Sequence, residues 1–328
     1  MKAIVIREPG GPEVLTVANV PNPMPPEAGE ILVRVRATAV NRADLLQRMG
    51  RYPAPPGVPA DIPGLEYAGE VVSVGDAVTR FAAGDRVYGL VGGGSYAEYV
   101  RVFADTAAPI PSALGFEEAA TIPESYLTAY DAMVVQAGLA KGECVLVHAV
   151  GSGVGVAALR IGKALGARVI GTARTQEKLA RATHIGLDEA ICVHNAQFAD
   201  AVRERTQGKG VDVVLDLVGG PYVAESLVAL ATKGRIAVVG LLAGAKTDLD
   251  LGLLLRKRAK VFGTVLRARD LRERCQLGAL LREQVDTLVR TGAAAPEVDR
   301  TFSLEAAAEA HAYVAKNENF GKVVLTVA

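Results

Sequence analysis
The chain has 328 residues, half of them hydrophobic and 22% charged, which is enough for two domains with ordinary cores. Its 36 Lys+Arg equal its 36 Asp+Glu, and no long basic run occurs, so nothing supports a general nucleic-acid or membrane-surface partner. No apolar leader follows the start MKAIVIREPGGPE and no run of about 20 apolar residues exists, so a soluble, cytoplasmic protein is expected.

Residues 1–121 are rich in Pro and Gly and carry short β-type runs at Ala3–Ile6, Glu30–Val40, Glu66–Val74, Arg86–Leu90 and Ser95–Val102. In the second run Ile31, Val33, Val35, Ala37 and Ala39 alternate with Leu32, Arg34, Arg36 and Thr38, which predicts a strand with one wetter face. Turn signals separate the runs: Pro9-Gly10-Gly11-Pro12, Val74-Gly75-Asp76 and Ala83-Gly84-Asp85. Many short strands in this pattern suggest a partly closed antiparallel barrel. Ala43–Met49 reads as a short helix stopped by Gly50.

Residues 122–265 alternate strand and helix. Strands are expected at Val145–His148, Val169–Thr172, Ala190–Val193, Val213–Asp216, Ile236–Gly240 and Val261–Val265, with helices at 155–165, 176–185, 198–206 and 222–231. That pattern predicts an α/β doubly wound parallel sheet of six strands. A charged helix (roughly 270–291) and another (304–316) follow, and Lys322–Val327 reads as a last strand returning to the first domain. The expected division is therefore 1–121 with 266–328 against an inserted 122–265. The cysteines, Cys144, Cys192 and Cys275, have no metal spacing and suit a reducing compartment.

The inserted segment is organised by residues 143–175. An apolar strand led by Val145, Leu146 and Val147 runs into the turn Gly151-Ser152-Gly153-Val154-Gly155. A helix follows, with Gly166 as its C-terminal stop, and then the next strand. A glycine turn opening a helix offers bare backbone N–H groups and a positive dipole end to an anion. A strict G-x-G-x-x-G is absent: if Gly155 is its last glycine, Val150 and Ser152 replace the first two. The βαβ setting still points to a dinucleotide. At the end of the second strand an NAD site usually has an acid for the ribose 2′-hydroxyl. Here Arg174 and Thr175 stand there, then Lys178, with no carboxylate before Glu177. Cations and a hydroxyl suit a 2′-phosphate, so NADPH is expected as cofactor over NADH.

Several further stretches carry a resemblance. They are Asn41-Arg42-Ala43-Asp44-Leu45, Gln47-Arg48-Met49-Gly50-Arg51-Tyr52, Gly64-Leu65-Glu66, Gly92-Gly93-Gly94, Ile122-Pro123-Glu124 with Leu127-Thr128-Ala129, Leu215-Asp216-Leu217-Val218-Gly219-Gly220, Leu266-Arg267-Ala268-Arg269-Asp270 and Asn317-Glu318-Asn319-Phe320-Gly321-Lys322. In this order they resemble the zinc-independent, zeta-crystallin-like quinone oxidoreductases of the medium-chain dehydrogenase/reductase superfamily. The resemblance implies a GroES-like barrel domain, a Rossmann domain and a homodimer paired through nucleotide-domain sheet edges, with Val261–Val265 as the apolar edge. Zinc-binding relatives in the superfamily place Cys where Asn41 stands and His where Leu65 stands; amide and isobutyl groups are poor zinc ligands, so no metal is expected.

Carried over residue by residue, the resemblance gives Tyr52 and Asn41 as catalytic groups lining a nicotinamide and substrate pocket, with Thr128 beside the nicotinamide. Gly151, Ser152, Gly153 and Val154 meet the pyrophosphate, and Arg174, Thr175 and Lys178 the 2′-phosphate. Gly240, Leu241 and Leu242 lie over the nicotinamide ribose, Leu266 closes the pocket, and Asn319 and Lys322 approach from the C-terminal return. One departure stands out: relatives carry a Tyr after the third strand that reaches the phosphate side of the adenosine, where this chain has Val193 and then His194, which could take its place. The implied reaction is hydride transfer from NADPH to a small-molecule quinone, with an enal or enone double bond as the alternative acceptor, or NADPH binding with little turnover. His148, His184 and His311 are read as structural.

Overall fold
The computed structural model describes residues 1–293 and 295–328. The chain folds as two units. Met1–Leu127, Leu266–Arg290 and Pro296–Ala328 form one; Thr128–Val265 with Thr291–Ala295 form the other. The first passage between them falls at Leu127/Thr128, within helix Pro123–Tyr130, a few residues beyond the expected 121/122.

In the first unit the strands are β1 (Lys2–Ile6), β2 (Leu15–Asn19), β3 (Glu30–Val40), β4 (Glu66–Val74), β5 (Arg86–Leu90), β6 (Tyr99–Phe103) and β7 (Ala107–Pro109). Helix α1 (Arg42–Arg48) follows β3, and α2 (Phe116–Ala119) and α3 (Pro123–Tyr130) close the segment. The unit is built on β3. Its alternation is real: Ile31, Val33, Val35, Ala37 and Ala39 are fully buried while Arg34 and Arg36 are half-exposed. Each such buried branched side chain contributes about 1.5–3 kcal/mol. One edge of β3 pairs with β4, while the other is shared. Glu30–Arg34 meet β6, and Ala37–Val40 meet the chain's last strand (Lys322–Thr326), both antiparallel. A strand that changes partner along one edge, with bulges at Leu32/Val33 and Val35/Ala37, curls the sheet toward the expected partly closed barrel. β6 begins at Tyr99, not Ser95, because the Tyr96 backbone bonds Pro63 and Ile4 instead of β3.

The second unit holds β8 (Cys144–Val147), α4 (Gly153–Ala164), β9 (Arg168–Ala173), α5 (Gln176–His184), β10 (Glu189–Cys192), α6 (Ala199–Arg205), β11 (Val211–Asp216), α7 (Pro221–Ala229), β12 (Leu230–Val238), α8 (Leu251–Lys257) and β13 (Lys260–Gly263). All sheet pairs are parallel, in the order β10-β9-β8-β11-β12-β13. This is the doubly wound order, and its direction reverses between β8 and β11, where such sheets bind ligands beyond their strand ends. β12 starts at Leu230, well before the expected Ile236. Leu230 pairs with Val211, and Lys233, at φ 64°, carries a bulge through a stretch whose composition reads as loop.

The charged return is α9 (Leu271–Leu280), a π-helical turn at Leu281–Val285 and α10 (Asp286–Arg290). β14 (Val298–Ser303), which the sequence did not suggest, α11 (Ala307–Ala315) and β15 (Lys322–Thr326) complete the first unit's sheet. Among the described residues, no helix is long and apolar enough to cross a membrane.

Candidate active site
The glycine turn sits at the carboxyl end of β8, at the reversal point of the parallel sheet. Ser152 caps α4, its hydroxyl accepting from the Gly155 N–H at 3.1 Å. Gly155 is required by contact: a Cβ there would lie 2.4 Å from the Ala149 carbonyl oxygen and 2.8 Å from the Val150 backbone. That close helix–strand approach is the role of the fingerprint's last glycine. Ser152, Gly153 and Val154 are half-exposed and Gly151 is buried. The first-turn N–H groups of a helix lack intrahelical acceptors, so this edge suits a pyrophosphate. Beneath it His148 is fully buried, with Nδ1 2.9 Å from the Thr172 hydroxyl and Nε2 3.0 Å from that of Ser226. Its ring also meets Phe198 and Tyr222. Burial pushes its pKa down to about 3, so it is a neutral clamp on β8, β9 and α7, as the sequence suggested.

The strand ends beside the turn supply the remaining groups of this unit. After β9, Arg174 and Thr175 are exposed and Lys178 is half-exposed. Thr175 caps α5, accepting from the Lys178 N–H at 3.4 Å. No acid stands at this strand end. After β10, Val193 is buried, and exposed His194 has Nε2 3.5 Å from the Cys192 sulfur. After β11, Asp216 is fully buried; its Oδ1 accepts from the Val218 and Gly219 N–H groups at 2.8 and 2.9 Å, and its Oδ2 has no partner among the described residues. After β12, Gly240 lies so close to Leu217 that a Cβ would sit 2.4 Å from its carbonyl oxygen, and Leu241 and Leu242 are exposed. The buried Thr128 hydroxyl also has no partner among the described residues. Buried polar atoms left open in this way fit a polar ligand, so this unit passes the test for a dinucleotide.

In the first unit a buried ion pair dominates. Lys322 Nζ donates to Glu66 Oε1 at 2.6 Å, to Asn41 Oδ1 at 2.5 Å and to the Val40 carbonyl at 3.4 Å. Asn41 Nδ2 donates to the same Glu66 oxygen at 2.8 Å and to the Ala39 carbonyl at 3.2 Å. The Glu124 N–H donates to Glu66 Oε2 at 2.8 Å. Lys322 turns inward and neutralises Glu66, since a buried carboxylate is costly without a counter-charge. Asn41 uses both of its N–H donors inside the fold.

Tyr52 is half-buried with its ring under Arg267, whose guanidinium carbon lies 5.1 Å from the ring centroid. Arg267 is buried and braces three segments: Nε donates to the Gly92 carbonyl at 2.7 Å, Nη1 to the Tyr52 carbonyl at 3.2 Å and Nη2 to Gln47 Oε1 at 2.6 Å. Neighbouring Leu266 is buried. Burial raises the Tyr52 pKa, keeping its phenol a donor. Asn319 folds its amide onto the Gly321 carbonyl at 2.8 Å. Sequence reasoning assigned no role to Glu124 or Arg267. Both lie in the motifs that carry the resemblance, but only the hydrogen-bond network reveals what they touch.

Residues 27–112 match a family profile described as alcohol dehydrogenase GroES-like domain, and residues 153–280 match one described as zinc-binding dehydrogenase. Over 319 residues the chain is 35% identical to the quinone oxidoreductase of Pseudomonas aeruginosa, covering 96% of each chain. The crystal structure of Escherichia coli quinone oxidoreductase complexed with NADPH matches with a TM-score of 0.88 at 32% identity, over 100% of both chains. An NAD-dependent alcohol dehydrogenase matches with a TM-score of 0.86 at 36% identity, again over 100% of both chains. Identity of this extent over nearly the full length, on the strand order and turn described above, means that the chain belongs to the quinone oxidoreductase family of the medium-chain dehydrogenase/reductase superfamily.

Proposed function
We propose that the protein is an NADPH-dependent quinone oxidoreductase working without a metal. The observation that carries the cofactor choice is the end of β9, where Arg174 is exposed and no acid competes with a 2′-phosphate. The likeness to the NADPH-complexed Escherichia coli enzyme supports it. When bound, NADPH supplies the hydride. The chain's own part is to hold pyrophosphate on Ser152–Val154, to take the adenosine phosphate on Arg174, Thr175 and Lys178, and to exclude water. Val193 stands where relatives have a phosphate-side Tyr, and we assign the next residue, exposed His194, the weaker version of that contact. The buried Lys322 ammonium supports the metal-free reading, since Glu66 already has its counter-charge and Leu65 offers no ligand atom.

Tyr52 is assigned the hydrogen bond to the oxygen that gains charge, and Tyr52→Phe is expected to slow turnover about 10–100-fold. We further place the protein in the cytoplasm as a homodimer joined through the β13 edge, where Val261 and Phe262 are half-buried and Val265 is 52% exposed. A monomer by light scattering at micromolar concentration would reject that pairing. The functional reading is tested by following NADPH and NADH oxidation against several quinones and an enone in metal-free buffer. Quinone-dependent NADPH oxidation is expected; oxidation with the enone alone, or with no acceptor, would overturn it.

A further inference from the structure
We propose that Glu124 is the proton donor of the reaction, giving its carboxyl proton to the substrate oxygen that becomes anionic on hydride transfer. This deepens the quinone reductase reading and rests on it. The first unit holds three carboxyl groups around Lys322, those of Glu66, Asp44 and Glu124, and two of them are committed. Glu66 accepts from Lys322, Asn41 and the Glu124 N–H. Asp44 accepts from the Asn41 N–H at 2.8 Å and the Gly64 N–H at 3.0 Å. The Glu124 carboxyl is different. No group among the described residues bonds to it, and the residue is mostly but not wholly buried, so water can still reach it to restore the proton. It is fixed at the start of α3 by its own backbone bond to Glu66 and by Pro123 before it.

Its surroundings favour the acid form. Burial acts first; then Glu66 from β4 and, more weakly, Asp44 from α1 oppose a charge there, while Lys322 from β15 and Arg267 favour one. The balance raises its pKa to about 8, despite a helix N-terminus that would stabilise the anion. The proton is therefore held at neutral pH and is close to the range where a general acid is most useful. Tyr52 feels the same charge: burial raises its phenol pKa first, Glu124 raises it further and Arg267 lowers it.

The step balances. The quinone gains a hydride, with its electron pair, from the reduced nicotinamide and becomes the hydroquinone monoanion. The Glu124 O–H bond breaks, a hydroquinone O–H bond forms, and the carboxylate left behind recovers a proton from water. NADPH is oxidised and the quinone is reduced by two electrons.

The test compares the full-length wild type, Glu124→Gln and Glu124→Asp with NADPH and 1,4-naphthoquinone between pH 5.5 and 9.5. It adds NADPH affinity by fluorescence and a side-chain carboxyl NMR titration of the cofactor-free protein. The wild-type turnover should fall tenfold per pH unit above about pH 8. Glu124→Gln should lose about 100-fold below pH 7, lose that alkaline limb and keep its NADPH affinity. Glu124→Asp should keep a limb displaced from its wild-type position, and the NMR should show a carboxyl titrating near pH 8 that is missing in Glu124→Gln. Wild-type rate and pH profile in Glu124→Gln would overturn the proposal, as would a Glu124 carboxyl that titrates in the ordinary range. Should Glu124→Gln not fold, an unmoved limb in Glu124→Asp would overturn it too. Failure of the functional reading itself looks different: the wild type would bind NADPH yet reduce no quinone, which removes both claims.

Discussion

Replacing Lys322 by Met should be among the most destabilising single changes in the first unit. Its side chain is 6% exposed and its partner Glu66 is fully buried, with 2.6 Å between charged atoms. At an effective dielectric of 20, a pair at this separation interacts by about 6 kcal/mol before desolvation is counted. Met fills most of the volume but leaves the Glu66 carboxylate buried with only neutral donors, Asn41 Nδ2 and the Glu124 N–H. Breaking a buried pair on one side typically costs about 3–5 kcal/mol. For a unit of this size that corresponds to a fall in its unfolding temperature of roughly 6–20 °C. Urea unfolding and scanning calorimetry read the loss, and the double variant Lys322→Met/Glu66→Gln separates charge from shape. With the carboxylate also removed, stability should recover by about 2 kcal/mol or more relative to the sum of the single changes. A loss below about 1 kcal/mol for Lys322→Met, or additive single changes, would refute the claim that this ammonium balances Glu66.

Gly155→Ala should cost roughly 1–3 kcal/mol or displace α4, because its Cβ meets backbone atoms that cannot swing aside. NADPH affinity would fall with it, and full retention of both by calorimetry and titration would contradict the close-approach argument. His148 gives a signed pH test. Its pKa is about 3 in the fold against about 6.5 unfolded, so the stability it supports is full above about pH 6.5 and is lost as pH falls toward 3. Buried His311, also near 3, adds to this slope, while the raised carboxyls of Asp44 (about 6) and Glu124 (about 8) oppose it over part of the range. The informative quantity is therefore a difference: between pH 6 and 4 the wild type should lose about 1.4 kcal/mol per pH unit relative to His148→Gln. Parallel stability curves would show that His148 titrates freely.

Local chemistry was legible in the sequence. β3, β4 and β5 have the expected limits because their alternation and flanking turns decide them within a few residues. The glycine turn and the Gly166 stop, at φ 74°, were also readable, since each is a short-range demand on backbone or space, whereas the Ser152 cap that starts the helix at Gly153 instead of 155 was not. The unread strand β14 is an edge strand whose pairing with β15 depends on a distant partner and leaves little apolar pattern. The same reason explains the bonds that the sequence did not reveal. Lys322 and Glu66 are 256 residues apart, and Arg267 reaches Gln47 across 220. Nothing in either neighbourhood announces those bonds. A resemblance could mark Asn41 and Lys322 as important, but only their hydrogen bonds show that both turn inward.

The cofactor assignment turns on the selection of a 2′-phosphate at the end of β9. The most direct measurement is the ratio of kcat/KM for NADPH over NADH with one saturating quinone, in the wild type and in Arg174→Ala. Loss of a guanidinium–phosphate contact of about 1.5–3 kcal/mol predicts a wild-type preference for NADPH that falls roughly 10–150-fold in the variant, with NADH little changed. Equal efficiency with the two cofactors, or a preference that survives Arg174→Ala intact, would contradict it.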